Sequence, residues 1–193
     1  RELKVADVPA LVLRVSYVGE SGFELHVARA DAARLFEAIE VAGKPFGIGH
    51  YGAYAANSMR LEKGYRSWGM DLTTERTPLE TGLSYLVKSD GRGFVGRDAM
   101  LARAPNWDMG LLEIDTDGAV EPFYSHTVLA QGRAIGVVTS GAFGHRVRKS
   151  LALAFLREPS IREGLTVKLL GRERRARILD APPYDPQNLR LRA

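Results

Sequence analysis

Apolar and polar positions alternate most clearly between Leu11 and Leu25, where the pattern predicts a strand, a tight turn and a second strand. Apolar side chains occupy every second position from Leu11 to Val15, and the alternation resumes at Phe23. Between the two runs, Gly19 and Gly22 allow the backbone conformations of a turn. Successive side chains of a strand point to opposite faces. If Phe23 and Leu25 face the core, Glu24 therefore faces a cleft or solvent, where an acid could contact a ligand.

Helical periodicity follows this hairpin. Asp31 is a suitable N-cap for a helix that runs to about Val41, and a second helical stretch ends at Gly64. Residues 65–87 have no clear period and mix aromatic, acidic, glycine and threonine residues, which is typical of loops that form the wall of a site. The C-terminal end of this stretch predicts an extended segment, and residues 94–104 predict a short third helix that ends before a proline.

From Met109 onward, short strand-like runs separated by Gly, Asp and Pro replace the helices. Their spacing predicts a small antiparallel β-barrel or sandwich. The runs read GLLEID, HTVLA, AIGVVTS, SLALAFL, LTVKLL and RARILD. We therefore predict an α+β fold, with a partial α+β region over residues 1–106 and a C-terminal β-barrel domain over residues 107–193.

Composition narrows the class of protein. The chain has 193 residues, 45% of them hydrophobic, and a net charge of +4 that suits anionic small ligands but does not indicate nucleic acid. It contains no cysteine, which excludes disulfides, thiolate zinc sites and cysteine nucleophiles. No apolar run approaches the roughly 20 residues of a membrane span, and no signal-peptide pattern is present. We expect a cytoplasmic or organelle-matrix protein, and the start at Arg1, close to a strand-like run, indicates a fragment or a processed piece.

Most side chains that could carry chemistry have a structural interpretation. The four histidines lack metal-ligand spacing, so we predict no metal site. Ser140 lies in SGAFG, which lacks the GxSxG order of a nucleophile elbow, and a barrel hairpin explains it better. Arg60 and Glu62 lie two apart on a helix and do not face each other, so we interpret them as structural anchors that each need a separate partner if buried.

A group of arginines near the C-terminus could contact an anion, although the solvated face of a barrel strand is the favoured interpretation. They are Arg172, Arg174, Arg175 and Arg177.

Glu24 has a sharper functional interpretation. A planar heterocycle with adjacent N–H donors, such as the amino-amide edge of a pterin or a guanine, matches a carboxylate in a two-pronged geometry, and charge-assisted bonds of this kind are strong and orienting. Tyr17 or Trp68 could stack on such a ring or form its wall. From the residues alone, a surface glutamate in a hairpin remains the favoured alternative.

Three separated segments occur in an order that resembles the aminomethyltransferase family. They read SYVGESGFEL, NSMRLEKGYRSWGMDLTTERTPLETGL and TSGAFGHRVRKSLALAFL. The family includes the glycine-cleavage T protein and the folate-binding portions of dimethylglycine and sarcosine dehydrogenases, and the run RLEKGYRSWGMDL with TPLE is more similar to the dehydrogenase branch. The resemblance covers nearly the whole chain as the C-terminal half of that family. It implies an α+β body that binds tetrahydrofolate, followed by a C-terminal barrel.

Carried over residue by residue, the resemblance implies that Glu24 binds the pterin edge, that Tyr17 lines the folate pocket and that Trp68 lies beside it. Two features depart from the family. Ala56 stands where T proteins have an arginine useful for the carboxylate tail of the folate. The family's N-terminal half, with the acidic residue that polarises the folate amine, has no counterpart in this sequence, so no catalytic residue is assigned.

The implied activity is that of a tetrahydrofolate-dependent one-carbon transferase, which moves an aminomethyl or methyl group from a small-molecule amine or methyl donor. This chain would be a C-terminal fragment that is incomplete for catalysis, and the protein would act by holding the folate nitrogens beside the donor carbon. Two alternatives remain open. One is a non-catalytic folate-binding module, against which the absence of the cysteine-bearing signature of such relatives counts. The other is the folate domain of a fused or associated flavin-dependent dimethylglycine or sarcosine dehydrogenase.

Overall fold

The computed structural model describes residues 1–91, 93–116 and 120–193. Contacts group the chain into two compact units, of which the first consists of residues 1–56 with 187–193 and the second of residues 57–186. Among the described residues, no helix combines the length and the apolar character needed to cross a membrane. The two units meet in the sequence at residues 56 and 57 and at residues 186 and 187. The domain boundary that the sequence predicts between residues 106 and 107 is a different division and stays a prediction.

A small antiparallel sheet and one long helix form the first unit. Its strands are β1 (Glu2–Val5), β2 (Val8–Leu13) and β3 (Glu24–His26), which pair in this order. Helix α1 spans Ala32–Gly43 and begins directly after Asp31, as predicted. The Asp31 side chain makes no capping hydrogen bond, however, and accepts one from Arg34 at 2.9 Å instead. Helix α2 spans Ala53–Glu62 and continues into the second unit.

Strand β2 alternates as predicted but with the opposite phase. Val8 and Ala10 are buried, whereas Leu11 is exposed. The even-numbered residues at the start of the strand therefore face the core of the first unit, and Leu11 faces away from it.

The predicted tight turn is a longer loop. Strand β2 ends at Leu13, which pairs with Glu24 at the start of β3, and the residues between them leave the sheet. The Ser16 hydroxyl accepts a hydrogen bond from the Val18 N–H at 3.3 Å, and Gly19 has a φ of +79°. Hydrogen bonds between a side chain and the nearby backbone favour loops over strands. The alternating apolar pattern extends to Val15, but strand β2 ends at Leu13.

A closed antiparallel barrel forms most of the second unit, which confirms the predicted fold class. Its strands pair in the order β4–β7–β6–β5–β8–β9. They are β4 (Asp108–Ile114), β5 (Thr127–Ala130), β6 (Arg133–Gly144), β7 (Lys149–Leu156), β8 (Leu165–Leu169) and β9 (Arg172–Leu179). Every strand-like run of the sequence therefore supplies one strand. Inward-facing aliphatic side chains, among them Leu112, Ile135 and Val167, fill the barrel.

A bulge in β6 gives two neighbouring residues the same direction. The register between β6 and β7 shifts between Val138 and Ser140. Thr139 and Ser140 are both buried, and both hydroxyls donate hydrogen bonds to the Asp71 carboxylate. Successive residues of a regular strand point to opposite faces, and the extra residue of a bulge removes that constraint.

The chain before the barrel follows the predicted order of elements with one exception. Helix α3 spans Arg97–Ala102, as predicted. The extended segment predicted at the end of residues 65–87 is wrong, because Ser84–Leu86 forms a 3₁₀ turn. Leu86 N–H donates to the Leu83 carbonyl at 3.0 Å, so local hydrogen bonds replace strand pairing there.

A capping box in the sequence TPLE fixes one turn of this chain to the start of the barrel region. Glu80 accepts hydrogen bonds from the Thr77 N–H at 3.0 Å and from the Asn106 N–H at 3.2 Å, and Glu80 N–H returns one to the Thr77 hydroxyl at 3.4 Å. Burial alone would raise the pKa of Glu80, but the hydrogen bonds from Thr77 and Asn106 and the charge of Arg103 lower it below 4.5.

Glu80 is therefore expected to make stability depend on pH in the acid range. Because the pKa of Glu80 is lower in the folded than in the unfolded protein, its contribution is complete above pH 4.5 and is lost as the pH falls through the folded pKa. We expect Glu80→Gln to lower the free energy of unfolding by about 1.5–3 kcal/mol at pH 7. The loss should shrink towards pH 3 in urea unfolding series, whereas Glu75→Gln, at an exposed position, should change neither the stability nor its slope with pH.

Candidate functional site

Glu24 lies on the exposed face of the first unit's sheet. The cross-strand register places Glu24 opposite Leu13 and His26 opposite Leu11, so these four side chains share one face. The Glu24 side chain is 56% exposed. The exposure of Glu24 agrees with the sequence pattern, and Leu25 is half-buried as expected. The expectation that Phe23 faces the core is wrong, because Phe23 precedes β3 and is 63% exposed.

One carboxylate oxygen of Glu24 remains open for a ligand. The Glu24 Oε2 atom lies 3.0 Å from His26 Nε2, two residues further along β3. Within the part of the chain that the structure describes, Oε1 has no hydrogen-bond partner. Each carboxylate oxygen has two acceptor positions, so Oε2 can accept a second bond while His26 orients the group. Glu24 can therefore accept two parallel N–H donors.

The loop between β2 and β3 carries Tyr17 and borders a cavity. The cavity has a volume of about 460 Å³ and belongs wholly to the first unit. Its lining consists of Arg14, Val15, Ser16, Gly22, Leu191 and Arg192. Tyr17 is partly exposed and does not line the cavity. The two arginines give the cavity a positive wall next to the loop that leads to Glu24.

Trp68 belongs to the second unit, where it is 74% exposed on a short turn. Its backbone forms an isolated bridge with Leu72, and Gly69 N–H donates to the Leu72 carbonyl at 2.8 Å. The Asp71 carboxylate closes the same turn by accepting a hydrogen bond from Ser67 N–H at 2.8 Å. The turn therefore leaves the indole exposed to solvent, while the Asp71 side chain of the same turn is buried.

Asp71 is the hub of a buried polar network that the sequence does not reveal. It is fully buried and accepts hydrogen bonds from Arg60 Nη1 at 2.6 Å, from the Ser140 hydroxyl at 2.6 Å and from the Thr139 hydroxyl. In the sequence, Asp71 is one of several polar residues in an aperiodic stretch. The one signal that points to it is the expectation that a buried Arg60 needs an acidic partner.

Arg60 and Glu62 are buried and have separate partners, as the anchor interpretation predicts. Arg60 also contacts the Asn57 side chain at 2.7 and 2.9 Å and donates to the Tyr65 carbonyl at 2.9 Å. Glu62 Oε1 accepts hydrogen bonds from the backbone N–H groups of Arg146 at 2.7 Å and Val147 at 3.1 Å. The end of α2 is therefore fixed both to the Trp68 turn and to the turn between β6 and β7.

The structure brings Tyr17 and Glu24 into one unit and places Trp68 in the other. Their contacts with a ligand stay predictions. Sequence reasoning missed Arg14 and Arg192, because they are far apart in the chain and only the fold places both at one cavity. Among the described residues, no group of three or more histidine, aspartate or glutamate side chains could hold a metal ion.

Two family models match the chain in succession. The model described as the GCVT N-terminal domain matches residues 1–91. The model described as the glycine cleavage T-protein C-terminal barrel domain matches residues 109–185. The second match coincides with the barrel strands.

Curated proteins and a solved structure show the same likeness. The chain is 36% identical to the mitochondrial dimethylglycine dehydrogenase of Rattus norvegicus over 94% of its own length and 22% of that protein. It is 33% identical to an aminomethyltransferase of Caldanaerobacter subterraneus over 95% of its length and 50% of that protein. The crystal structure of the glycine cleavage system aminomethyltransferase T from Bartonella henselae has the same fold, with a TM-score of 0.78 at 24% identity, 91% coverage of this chain and 50% of that one. The chain therefore spans half or less of the length of these proteins.

Proposed function

Because this chain belongs to the glycine-cleavage T-protein family of aminomethyltransferases, we propose that it is the C-terminal part of a tetrahydrofolate-dependent one-carbon transferase. The observation that carries the proposal is the open Glu24 carboxylate on β3, within a chain of this family. The donor would be a small-molecule amine or a methyl compound. The exposed sheet face, the partly exposed Tyr17 and the cavity beside the loop support binding of a planar ligand with an anionic tail.

Glu24 would recognise the pterin ring by its amino-amide edge. That edge presents adjacent N–H donors, and the two oxygens of Glu24 can accept both, since His26 occupies only one acceptor position. Charge-assisted bonds of this kind fix the orientation of a planar ring as well as its affinity. Tyr17 would contribute a wall of the pterin pocket.

Arg14 and Arg192 could replace the arginine that T proteins have at the position of Ala56. Both line the cavity of the unit that carries Glu24, and guanidinium groups match carboxylates in geometry and charge. Arg14 already donates to the Ala193 carbonyl at 2.9 Å, which leaves its other N–H groups for a ligand. We propose that the carboxylate tail of the folate is bound here.

The residues of this chain would contribute to the reaction by binding and orienting the folate. Tetrahydrofolate, when bound, would supply the amine nitrogens that accept the one-carbon unit. Glu24 and the tail arginines would hold the ligand at its two ends, so that its reacting part is presented to the donor in a fixed orientation. The group that activates the folate amine would be supplied by a part of the protein outside this chain.

The likeness to dimethylglycine dehydrogenase favours a second candidate, the folate domain of a flavin-dependent dehydrogenase. The chain corresponds to only 22% of that relative, which leaves room for a dehydrogenase domain elsewhere in a similar protein. The coding sequence upstream of Arg1 distinguishes the two candidates. A dinucleotide-binding GxGxxG motif far upstream supports the fused dehydrogenase. A start codon that gives a protein about as long as a T protein supports the stand-alone transferase.

Titration of the full-length protein with tetrahydrofolate tests the proposed function. We expect saturable binding to one site in isothermal titration calorimetry, and weaker binding of p-aminobenzoylglutamate, which keeps the anionic tail but lacks the pterin. Failure of the full-length protein to bind tetrahydrofolate would contradict the proposal. Equal affinity for both compounds would contradict recognition of the pterin edge.

A further inference from the structure

The open face of the first unit's sheet carries an apolar stripe between two rows of polar side chains. Directly opposite residues of paired strands share a face, so the register identifies the members of each row. The central strand β2 presents Pro9, Leu11 and Leu13 on this face. The outward residues of the two edge strands are all ionisable, namely Glu2, Lys4, Glu24 and His26. A solvated sheet face normally carries polar residues, so the stripe on β2 indicates an apolar partner.

Leu11 keeps apolar surface in solvent at the centre of the sheet. It is 42% exposed although a strand pairs with β2 on each side, and Leu13 is half-buried. The opposite face of the same strand, with Val8 and Ala10, is the one that is buried. Removing leucine surface from water is favourable, so a ligand that covers the stripe gains binding energy there.

The stripe has the size of a flat two-ring heterocycle. Residues two apart on an antiparallel strand are separated by about 6.8 Å, so Leu11 and Leu13 together span a surface about as long as two fused six-membered rings. Glu24 lies directly across from Leu13 and can accept two parallel N–H donors. A ring that covers the leucines therefore has a pair of acceptors at its side. An apolar floor with a few polar groups at its edge is typical of small-molecule sites.

We propose that Leu11 and Leu13 form the platform on which the face of the pterin ring lies, while Glu24 binds its edge. This inference rests on the proposed function and adds the surface that the face of the ring contacts. The leucine side chains have no hydrogen-bonding group, so they fix the plane of the ring through apolar contact alone. Glu24 then fixes the direction of the ring within that plane.

Calorimetric titration of the full-length protein with tetrahydrofolate, and with tetrahydropterin that lacks the tail, tests the platform. We expect Leu11→Thr to weaken the binding of both compounds by the same factor, about fivefold or more, because threonine keeps the strand preference but removes apolar contact with the ring. Leu3→Thr is the matched control, since Leu3 is 44% exposed in the same sheet but lies on the opposite face. It should leave both affinities unchanged.

The outcomes separate the platform from the proposed function. If the wild type binds tetrahydrofolate and Leu11→Thr binds it as tightly as Leu3→Thr does, the platform is wrong and the proposed function stands. If the wild type does not bind tetrahydrofolate, the proposed function is wrong and the platform with it. A loss of affinity for tetrahydrofolate without an equal loss for tetrahydropterin would place Leu11 beside the tail and would also overturn the platform.

Thermal unfolding distinguishes a ligand platform from a surface that another part of the protein covers. Without ligand, Leu11→Thr and Leu3→Thr should change the melting temperature of the full-length protein by similar, small amounts, because the two leucines are exposed to a similar extent. Tetrahydrofolate should then raise the melting temperature of Leu3→Thr more than that of Leu11→Thr by mass action. A markedly larger fall for unliganded Leu11→Thr would show that protein covers the stripe and would overturn the proposal.

Discussion

Asp71→Asn is expected to lower the free energy of unfolding by about 3–5 kcal/mol, since it leaves a buried arginine without its counter-charge. Arg60 is 1% exposed and reaches no other carboxylate among the described residues. The asparagine would also direct an amide N–H₂ group at donors, because the hydroxyls of Thr139 and Ser140 and the Ser67 N–H all donate to Asp71. Equilibrium unfolding in urea measures the loss.

A surface ion pair provides the matched control for this effect. Asp98 accepts a hydrogen bond from Arg97 at 2.8 Å, but its side chain is 91% exposed. Asp98→Asn should therefore change stability little, because solvent screens the pair. Asp71→Asn should in addition speed hydrogen exchange of the Ser67 amide, which loses its acceptor. Similar stability losses in both variants would contradict the view that Asp71 is the hub of the network.

The barrel was predictable because its strands carry their information locally. Runs such as SLALAFL have the apolar character of a strand buried in a small barrel, and the glycines and prolines between the runs mark the connections. The order of pairing, in which β4 and β9 close the barrel, depends on partners that are distant in the chain. The sequence pattern predicts strands and a barrel, but it does not determine which strands are neighbours.

The polar network and the loop of the first unit could not be predicted, for two different physical reasons. Asp71 meets Ser140 across 69 residues, and only a bulge in β6 lets Thr139 reach the same carboxylate. The loop after Leu13 is held by a local bond from the Val18 N–H to the Ser16 hydroxyl, and an alternating apolar pattern does not reveal such a bond. The exposure of Glu24, in contrast, follows from alternation within β3 alone, which is why the sequence could predict it.

Glu24→Gln is expected to weaken tetrahydrofolate binding by about 10- to 100-fold, if the carboxylate recognises the pterin edge. The glutamine keeps the shape of the side chain but replaces one acceptor oxygen by an N–H₂ donor, which would face an N–H group of the ligand. Glu37→Gln is the matched control, because it makes the same change of charge at an exposed position of α1 in the same unit. Calorimetric titration of the full-length variants measures the difference.

The loss in Glu24→Gln can be separated from an effect on folding and from an effect of His26. Glu24 is exposed and its one hydrogen bond among the described residues is to His26, so the melting temperature of the unliganded variant should stay close to that of the wild type. His26→Ala removes the group that orients the carboxylate but leaves both acceptor oxygens, and it should therefore weaken binding less than Glu24→Gln does. If Glu24→Gln binds tetrahydrofolate as tightly as Glu37→Gln, the carboxylate does not recognise the pterin. If His26→Ala costs as much as Glu24→Gln, the ligand depends on the pair rather than on the free oxygen, and the two-pronged geometry is wrong.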